Sequence, residues 1–189
     1  MLVDEIKSEA VTRQSFERLL SPNLVEKVVN GDLAVNRGGE LREVTVLFSD
    51  IRGFTEMSEN QPAPSIVEFL NEYFESMVEV VFDNDGTLDK FMGDGLMALW
   101  GAPVQGADDA YKAVRAALQM QEELVHLNAE WERQGRQRVE IGIGIDTGQI
   151  VAGYLGSTRT MSYTVVGSGV KQVAGRSATD VCTAPFAVQ

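Results

Sequence analysis

The chain has 189 residues, enough for one globular domain with a sizeable core and a short appendage. Its 16 basic and 28 acidic residues give a formal net charge of -12. This charge argues against broad binding to nucleic acids or anionic membranes, because both need a positive field on the protein. The single cysteine, Cys182, excludes an internal disulfide. With no signal peptide and no apolar stretch of membrane-spanning length, we expect a cytoplasmic protein without a membrane segment.

The first 40 residues are predicted to form a helical segment of their own. Ser21 can cap a helix and Pro22 fits its first turn, while Gly31 suits the helix end. Apolar residues recur along this helix between Leu19 and Val29. Such a stripe fits either a lid packed on the domain or a connector that pairs with a second chain. The pattern alone leaves both interpretations open.

The remainder, residues 41–189, is predicted to be one domain in which strands and helices alternate. A compact apolar run at 44–48 predicts a buried central strand that ends at Asp50. Other helices and strands follow from apolar periodicity and strand-forming residues: helices at about 66–82 and 107–134, and strands at 87–92, 96–100, 139–145, 149–154 and 161–166. The fold class is therefore α+β, a mixed, mainly antiparallel sheet flanked by long helices.

The second long helix is expected to pack one face against the sheet. The residues predicted on that inner face are Ala110, Val114, Ala117, Leu118, Leu124, Leu127 and Trp131. His126, the only histidine, falls in the same helix, where a surface or partly packed position is expected. The sequence therefore does not favour a histidine-based active site.

Two aspartates stand out by their positions. Asp50 ends the apolar strand, and Asp94 lies at the tip of a glycine-flanked hairpin. If the two strands are neighbours, both carboxylates meet at one edge of the sheet, where they could hold Mg²⁺ bridged to phosphate oxygens. On pattern alone, aspartates near strand ends are more often turn-formers or helix caps, so both interpretations stay open. Walker-type and dinucleotide-binding glycine loops are absent.

Four segments, in order, resemble those of class III adenylate and guanylate cyclase catalytic domains. They are LFSDIRGFT at 47–55, DKFMGDG at 89–95, GIGIDTG at 142–148 and YTVVG at 163–167. The resemblance implies the ferredoxin-like core of that family. It also implies a reaction in which the ribose 3′-hydroxyl of a nucleoside triphosphate attacks the α-phosphate and expels pyrophosphate.

The resemblance assigns metal and phosphate binding to particular residues. Asp50 and Asp94 would hold two Mg²⁺ or Mn²⁺ ions, with the Ile51 carbonyl assisting. One ion would activate the attacking hydroxyl and the other would steady the triphosphate and the leaving group. Phe54 and Thr55, in the same loop, would help to cover the phosphates.

Two further residues match the positions that read the purine base in this family. Lys90 can only donate hydrogen bonds, which suits adenine N1, an acceptor, whereas guanine presents a donor there. Thr164 can accept a hydrogen bond from the adenine amino group. The pair therefore favours ATP over GTP as the substrate.

The resemblance also implies an assembly. Family members take the metal-binding aspartates from one subunit and the purine-reading residues from the other, so a homodimer with two equivalent sites is expected. The helix between Leu19 and Val29 resembles the connector that transmits signals from upstream regulatory modules. The chain is therefore expected to be a fragment of a larger regulated protein.

The sequence departs from the family pattern after Gly167. Lys171 stands where a ribose-orienting asparagine belongs, and Gly175 stands where a transition-state arginine belongs. Arg176 is one position late, which turns a helical side chain by roughly 100°. Three explanations fit: a truncated or frame-shifted copy, a chain that has lost activity, or a divergent enzyme that uses Lys171 for substrate binding and Arg176 for catalysis. The domain is therefore expected to be incomplete at its C-terminal end.

The favoured function is an adenylate cyclase that converts ATP to 3′,5′-cyclic AMP and pyrophosphate at a homodimer interface. The alternative is a catalytically weak or inactive nucleotide-binding or dimerisation module that regulates a partner. A cyclase of the diguanylate type is disfavoured, because its glycine-glycine-acidic signature is absent.

Overall fold

The computed structural model describes residues 38–157 and 161–167. The predictions for the N-terminal connector helix and for Lys171, Gly175 and Arg176 lie outside these residues. The family-like segments that contain both aspartates, Lys90 and Thr164 lie inside them.

Five strands form one sheet in the described residues, with three helices connecting them. In chain order these elements are β1 (Gly38–Ile51), α1 (Phe54–Glu59), α2 (Ala63–Asp83), β2 (Thr87–Met92), β3 (Gly95–Trp100), α3 (Asp109–Arg133), β4 (Ile141–Gly156) and β5 (Met161–Val166). The strand order is β2-β3-β1-β4-β5, and every pairing is antiparallel. The predicted α+β class is confirmed, and the described sheet is antiparallel throughout.

Strands β1 and β4 are longer than predicted. β1 begins at Gly38, ahead of the predicted strand at 44–48, and so runs across the predicted boundary after residue 40. β4 is one continuous strand, whereas two were predicted around Gly148. The reason is the ladder itself, which runs unbroken from the pair Gly38 and Tyr154 to the pair Ile51 and Ile141. Hydrogen bonds to β1 therefore keep β4 continuous, although the sequence around Gly148 predicted a break between two strands.

The inner face of α3 differs from the predicted one. Leu124 and Trp131 are buried as expected, but Ala110, Val114 and Leu118 are exposed, Val114 by 49% and Leu118 by 48%. The residues that are fully or almost fully buried on this helix are Ala113, Ala116, Met120, Leu124, Asn128 and Trp131. The helix is rotated so that two alanines face the sheet, where small side chains allow close packing. Ala117 and Leu127 are half-buried against the same core, so periodicity identified part of the inner face and misplaced Ala110, Val114 and Leu118.

The sheet is apolar on both sides. One face packs against α2 and α3 through a core that includes Leu47, Trp100 and Tyr73. A second cluster on the opposite face includes Phe48 and Met97 and is also buried. Because residues 44–48 of β1 and the whole of β3 are covered on both faces, these runs are mostly apolar without alternation. Burial on both faces is the reason that the apolar run at 44–48 predicts a central strand.

A buried asparagine ties α2, α3 and β3 together. Asn84 follows α2, is 1% exposed, and donates from Nδ2 to the Val80 carbonyl oxygen at 2.8 Å. Its Oδ1 accepts from Arg115 Nε at 2.7 Å, and its backbone carbonyl accepts from Trp100 Nε1 at 2.7 Å. Arg115 lies on α3 and Trp100 ends β3, so the Asn84 side chain joins the two long helices and its backbone carbonyl group joins them to the sheet.

We expect Asn84→Ala to lower the free energy of unfolding by about 2–3 kcal/mol, because it removes a buried side chain and its hydrogen bonds to both long helices. The matched control is Asn60→Ala: Asn60 also donates to a helical carbonyl, that of Glu56 at 2.9 Å, but is exposed. That change should cost no more than about 0.5 kcal/mol. Urea denaturation followed by circular dichroism measures both. Equal losses in the two variants would contradict the role given to Asn84.

Candidate functional site

The two aspartates singled out by their sequence positions lie side by side. Asp50 is the penultimate residue of β1, and Asp94 lies in the two-residue turn between β2 and β3. β3 pairs with β1, and Gly95 packs so closely on β1 that a Cβ there would be 2.7 Å from the Ser49 carbonyl oxygen and 3.4 Å from Asp50 Oδ1. Only glycine fits this approach, which brings the hairpin tip onto the end of β1.

The two carboxyl groups interact electrostatically. Burial, the negative charge of Asp94 and a side-chain hydrogen bond with Asp94 together raise the pKa of Asp50, while the charge of Arg52 opposes the shift. A divalent cation between the two carboxylates would relieve their repulsion. No group of three or more His, Cys, Asp or Glu side chains suited to a metal occurs in residues 38–157 and 161–167. A carboxylate pair is nevertheless enough for Mg²⁺, which completes its shell with phosphate and water oxygens.

The surroundings of Asp50 hold it in place. The preceding Ser49 hydroxyl is 2.9 Å from the Tyr73 hydroxyl of α2, in a buried contact in which either group could donate. After the strand, the Arg52 backbone N–H donates to the Glu140 carbonyl oxygen at 2.8 Å. The Arg52 guanidinium lies against Gly142, the β4 residue paired with Asp50. The strand end is thus fixed from both sides before any ligand binds.

The other residues predicted at this site follow Asp50 directly. Ile51 is 2% exposed and its side chain belongs to the core, so only its carbonyl group is suited to a ligand. Phe54 and Thr55 were expected in a loop, but they begin the short helix α1. Gly53 precedes them with φ 66°, a left-handed conformation that turns the chain sharply after β1. Phe54 packs on the core and Thr55 is exposed.

Lys90 and Thr164 meet although their strands lie at opposite edges of the sheet. Lys90 Nζ donates to Thr164 Oγ1 at 3.2 Å. Two edges of a five-stranded sheet can touch only if the sheet curls strongly, and the apolar cluster that includes Phe48 and Met97 fills the inside of that curl. The structure thus brings together the two side chains that the sequence analysis assigned to base reading.

Asp89 is the residue that sequence reasoning missed. Its side chain is 1% exposed, accepts from Thr164 Oγ1 at 3.0 Å and lies 3.2 Å from Lys90 Nζ. The register of β2 against β3 shifts between Leu88 and Lys90, and this irregularity lets two successive side chains serve the same cluster. Burial raises the pKa of Asp89, while Lys90 and Thr164 oppose the shift. The available signal was a pair of adjacent charged residues inside a strand.

Residues 38–180 match the family model described as the adenylate and guanylate cyclase catalytic domain. The chain belongs to this family. The match covers both aspartates and the three-residue cluster of Asp89, Lys90 and Thr164, so the resemblance on which the assignments rested is confirmed.

The similar proteins include some named as adenylate cyclases and some named as guanylyl cyclases. Adenylate cyclase 1 of Rhizobium meliloti is 35% identical over 82% of this chain, which spans 24% of that relative's length. The crystal structure of the adenylyl cyclase CyaB from P. aeruginosa matches at 36% identity and a TM-score of 0.71, covering 75% of this chain and 74% of that one. A guanylyl cyclase crystal structure matches at 42% identity and a TM-score of 0.72, covering 75% and 72%. Overall similarity therefore does not decide the base.

The metal-binding role of the aspartate pair is testable without catalysis. We expect Asp94→Asn to weaken Mn²⁺ binding at least about tenfold, since even changes outside the direct ligands cost that much. Without metal the variant should melt at or above the wild-type temperature, because one of two adjacent like charges is gone. Differential scanning calorimetry with Mn²⁺ or EDTA measures both effects.

The control for this experiment is Asp85→Asn. Asp85 is an exposed turn residue that pairs with Lys112 at 2.8 Å, and its φ of 57° suits asparagine. Its variant should keep the full stabilisation by Mn²⁺. Undiminished stabilisation in Asp94→Asn would show that the pair does not hold the metal.

Proposed function

We propose that this chain is an adenylate cyclase catalytic domain that converts ATP to 3′,5′-cyclic AMP and pyrophosphate. The observation that carries the proposal is the contact of Lys90 Nζ with Thr164 Oγ1 at 3.2 Å. A lysine ammonium group only donates and so complements adenine N1, while the threonine oxygen complements the adenine 6-amino group. Guanine presents an N1–H donor and a 6-carbonyl acceptor at these positions, so the same cluster opposes GTP.

The relatives support this choice without deciding it. Adenylate cyclase 1 of Rhizobium meliloti and the P. aeruginosa enzyme favour ATP by name. A structure named as a guanylyl cyclase, at 42% identity, supports the view that this fold can serve either nucleotide. Base choice must therefore come from a few side chains. The cluster of Asp89, Lys90 and Thr164 supplies hydrogen-bond donors and acceptors in the pattern that suits adenine.

Asp50 and Asp94 are the residues that would hold two Mg²⁺ or Mn²⁺ ions, with the Ile51 carbonyl group as a further oxygen ligand. When bound, the ions supply charge that lowers the pKa of the 3′-hydroxyl and stabilises the departing pyrophosphate. The chain contributes a fixed geometry: the hairpin tip and the end of β1 already lie together, so little rearrangement is needed. Phe54 and Thr55 follow within one turn and would shield the phosphates from water.

We propose a homodimer with two equivalent sites, in which each nucleotide contacts the aspartates of one subunit and the Lys90 cluster of the other. The support is the family membership and the closed, self-complementary interfaces that such homodimers use. Upstream regulatory modules are proposed as well, since the chain spans only 24% of the Rhizobium relative. In the part of the chain that the structure describes, no helix combines the length and apolarity needed to cross a membrane.

The C-terminal departures bear on rate and on the ribose contact rather than on the choice of base. Lys171 is proposed to contact the substrate and Arg176 to stabilise the transition state, in place of the family's asparagine and arginine. Loss of one such charge-stabilising donor raises a barrier by about 2.7–4 kcal/mol, a loss of roughly 10²–10³ in rate. The second candidate function, a nucleotide-binding module of very low activity, rests on these same positions.

The purified chain, given Mn²⁺ and ATP, should form cyclic AMP at a low rate, detected by chromatography. With GTP, kcat/KM should be lower by at least about tenfold, the effect of one mismatched hydrogen bond or more. Retained ATP binding without any cyclic AMP would contradict the enzyme and favour the regulatory module. Preferred use of GTP would contradict the base assignment.

Replacing the base-reading lysine tests the assignment directly. In Lys90→Gln the side-chain oxygen can accept from guanine N1–H, so the preference for ATP over GTP should fall at least about tenfold. Lys112→Gln is the matched control, because Lys112 also pairs with an aspartate but lies on the surface of α3. Competition binding with both nucleotides measures the ratio. An unchanged ratio in Lys90→Gln would refute the role of Lys90.

A further inference from the structure

In the cluster of Asp89, Lys90 and Thr164, the chemistry of the side chains decides which group donates each hydrogen bond and which accepts it. The Thr164 hydroxyl group has one proton and two lone pairs. Asp89, as a carboxylate, can only accept, so the proton of Thr164 is directed to Asp89 Oδ2 over 3.0 Å. Lys90, as an ammonium, can only donate, so it occupies one lone pair of the same oxygen over 3.2 Å. One lone pair of Thr164 remains for a ligand.

We propose that Asp89 is a specificity-determining positioning residue that makes Thr164 an obligate hydrogen-bond acceptor. A hydroxyl group left to rotate could accept from the adenine amino group or donate to the guanine carbonyl group, and would discriminate poorly. With its proton held by Asp89, the Thr164 oxygen complements only an N–H donor at position 6 of the purine. The inference rests on the proposed function, in which this cluster reads the purine of a nucleoside triphosphate.

The placement of Asp89 supports this role. Its side chain is 1% exposed, so water cannot compete for the proton of Thr164. The Lys90 side chain is 48% exposed, which leaves its remaining donors available to a ligand. Asp89 thus lies behind Lys90 and Thr164, the two residues that it orients. It acts on the base only through them. Burial raises the pKa of Asp89, and the ion pair with Lys90 and the hydrogen bonds from Lys90 and Thr164 oppose that shift in favour of the carboxylate.

The variant that isolates this effect is Asp89→Asn. The amide has the shape of the carboxylate, but its nitrogen can donate to Thr164, which frees the threonine proton to turn toward the ligand. The fold should tolerate the change, because a neutral amide is easier to bury than a carboxylate. We expect the preference for the adenine nucleotide over the guanine nucleotide to fall about tenfold, the effect of one hydrogen bond.

The experiment measures binding, so it does not depend on the turnover rate. The full chain is titrated with the α,β-methylene analogues of ATP and GTP in the presence of Mn²⁺, since the bridging carbon prevents pyrophosphate release. The ratio of the two dissociation constants is compared for wild type, Asp89→Asn, Thr164→Val and the double variant. Asp85→Asn, at an exposed turn, is the control that should keep the wild-type ratio.

If Asp89 acts through Thr164, the ratio falls in each single variant, and Asp89→Asn changes it no further once Thr164 is valine. A folded Asp89→Asn protein with the wild-type ratio would overturn the inference alone, as would additive effects in the double variant. A wild-type ratio near one would overturn the proposed base choice and the inference with it.

A second measurement needs no variant. The α,β-methylene triphosphate of purine riboside keeps N1 but lacks the 6-amino group, so wild-type protein should bind it about tenfold more weakly than the adenine analogue. Equal affinity would mean that the Thr164 oxygen accepts nothing from the base, which would overturn the inference even if Asp89→Asn failed to fold.

Discussion

The contact between the two outer strands of the sheet is the constraint on which the rest of the proposed site depends. β2 and β5 are separated by three strands, yet Lys90 of β2 and Thr164 of β5 are in hydrogen-bond contact. An apolar cluster inside the curl holds this shape, and Asp89 joins the two edges by polar contacts. The arrangement proposed to read the base is therefore a property of the whole sheet, since no single segment of sequence could form it.

The central strand positions the proposed metal-binding aspartates, which in the proposed homodimer serve a nucleotide held by the Lys90 cluster of the other subunit. Residues 44–49 of β1 are buried and lie between β3 and β4, so the part of the strand that leads to Asp50 is held in place. Asp50 is carried at its end, where the Gly93-Asp94 turn and the Arg52 contact on Gly142 converge. A rigid strand thus places the Asp50 carboxylate, and a tight hairpin places that of Asp94. Both groups are therefore in position before a ligand binds.

Sequence reasoning succeeded where local patterns carried the information. The apolar run before Asp50 and the glycines around Asp94 predicted a strand end and a hairpin tip, and the family resemblance supplied Lys90 and Thr164. It missed Asp89, because that role comes from a register irregularity and from a partner on β5, 75 residues away. It chose Val114 for the inner face of α3, because periodicity cannot tell which of two adjacent stripes the sheet will contact. Tertiary packing decided both.

The most direct test of this account is a crystal structure of the full chain with α,β-methylene ATP and Mn²⁺. The account predicts adenine N1 and the 6-amino group within about 3.2 Å of Lys90 Nζ and Thr164 Oγ1 respectively, with Asp89 still accepting from Thr164. It also predicts Mn²⁺ bound between Asp50 and Asp94. An adenine base bound away from the joined sheet edges, or a Thr164 hydroxyl group turned from Asp89 toward the ligand, would contradict it.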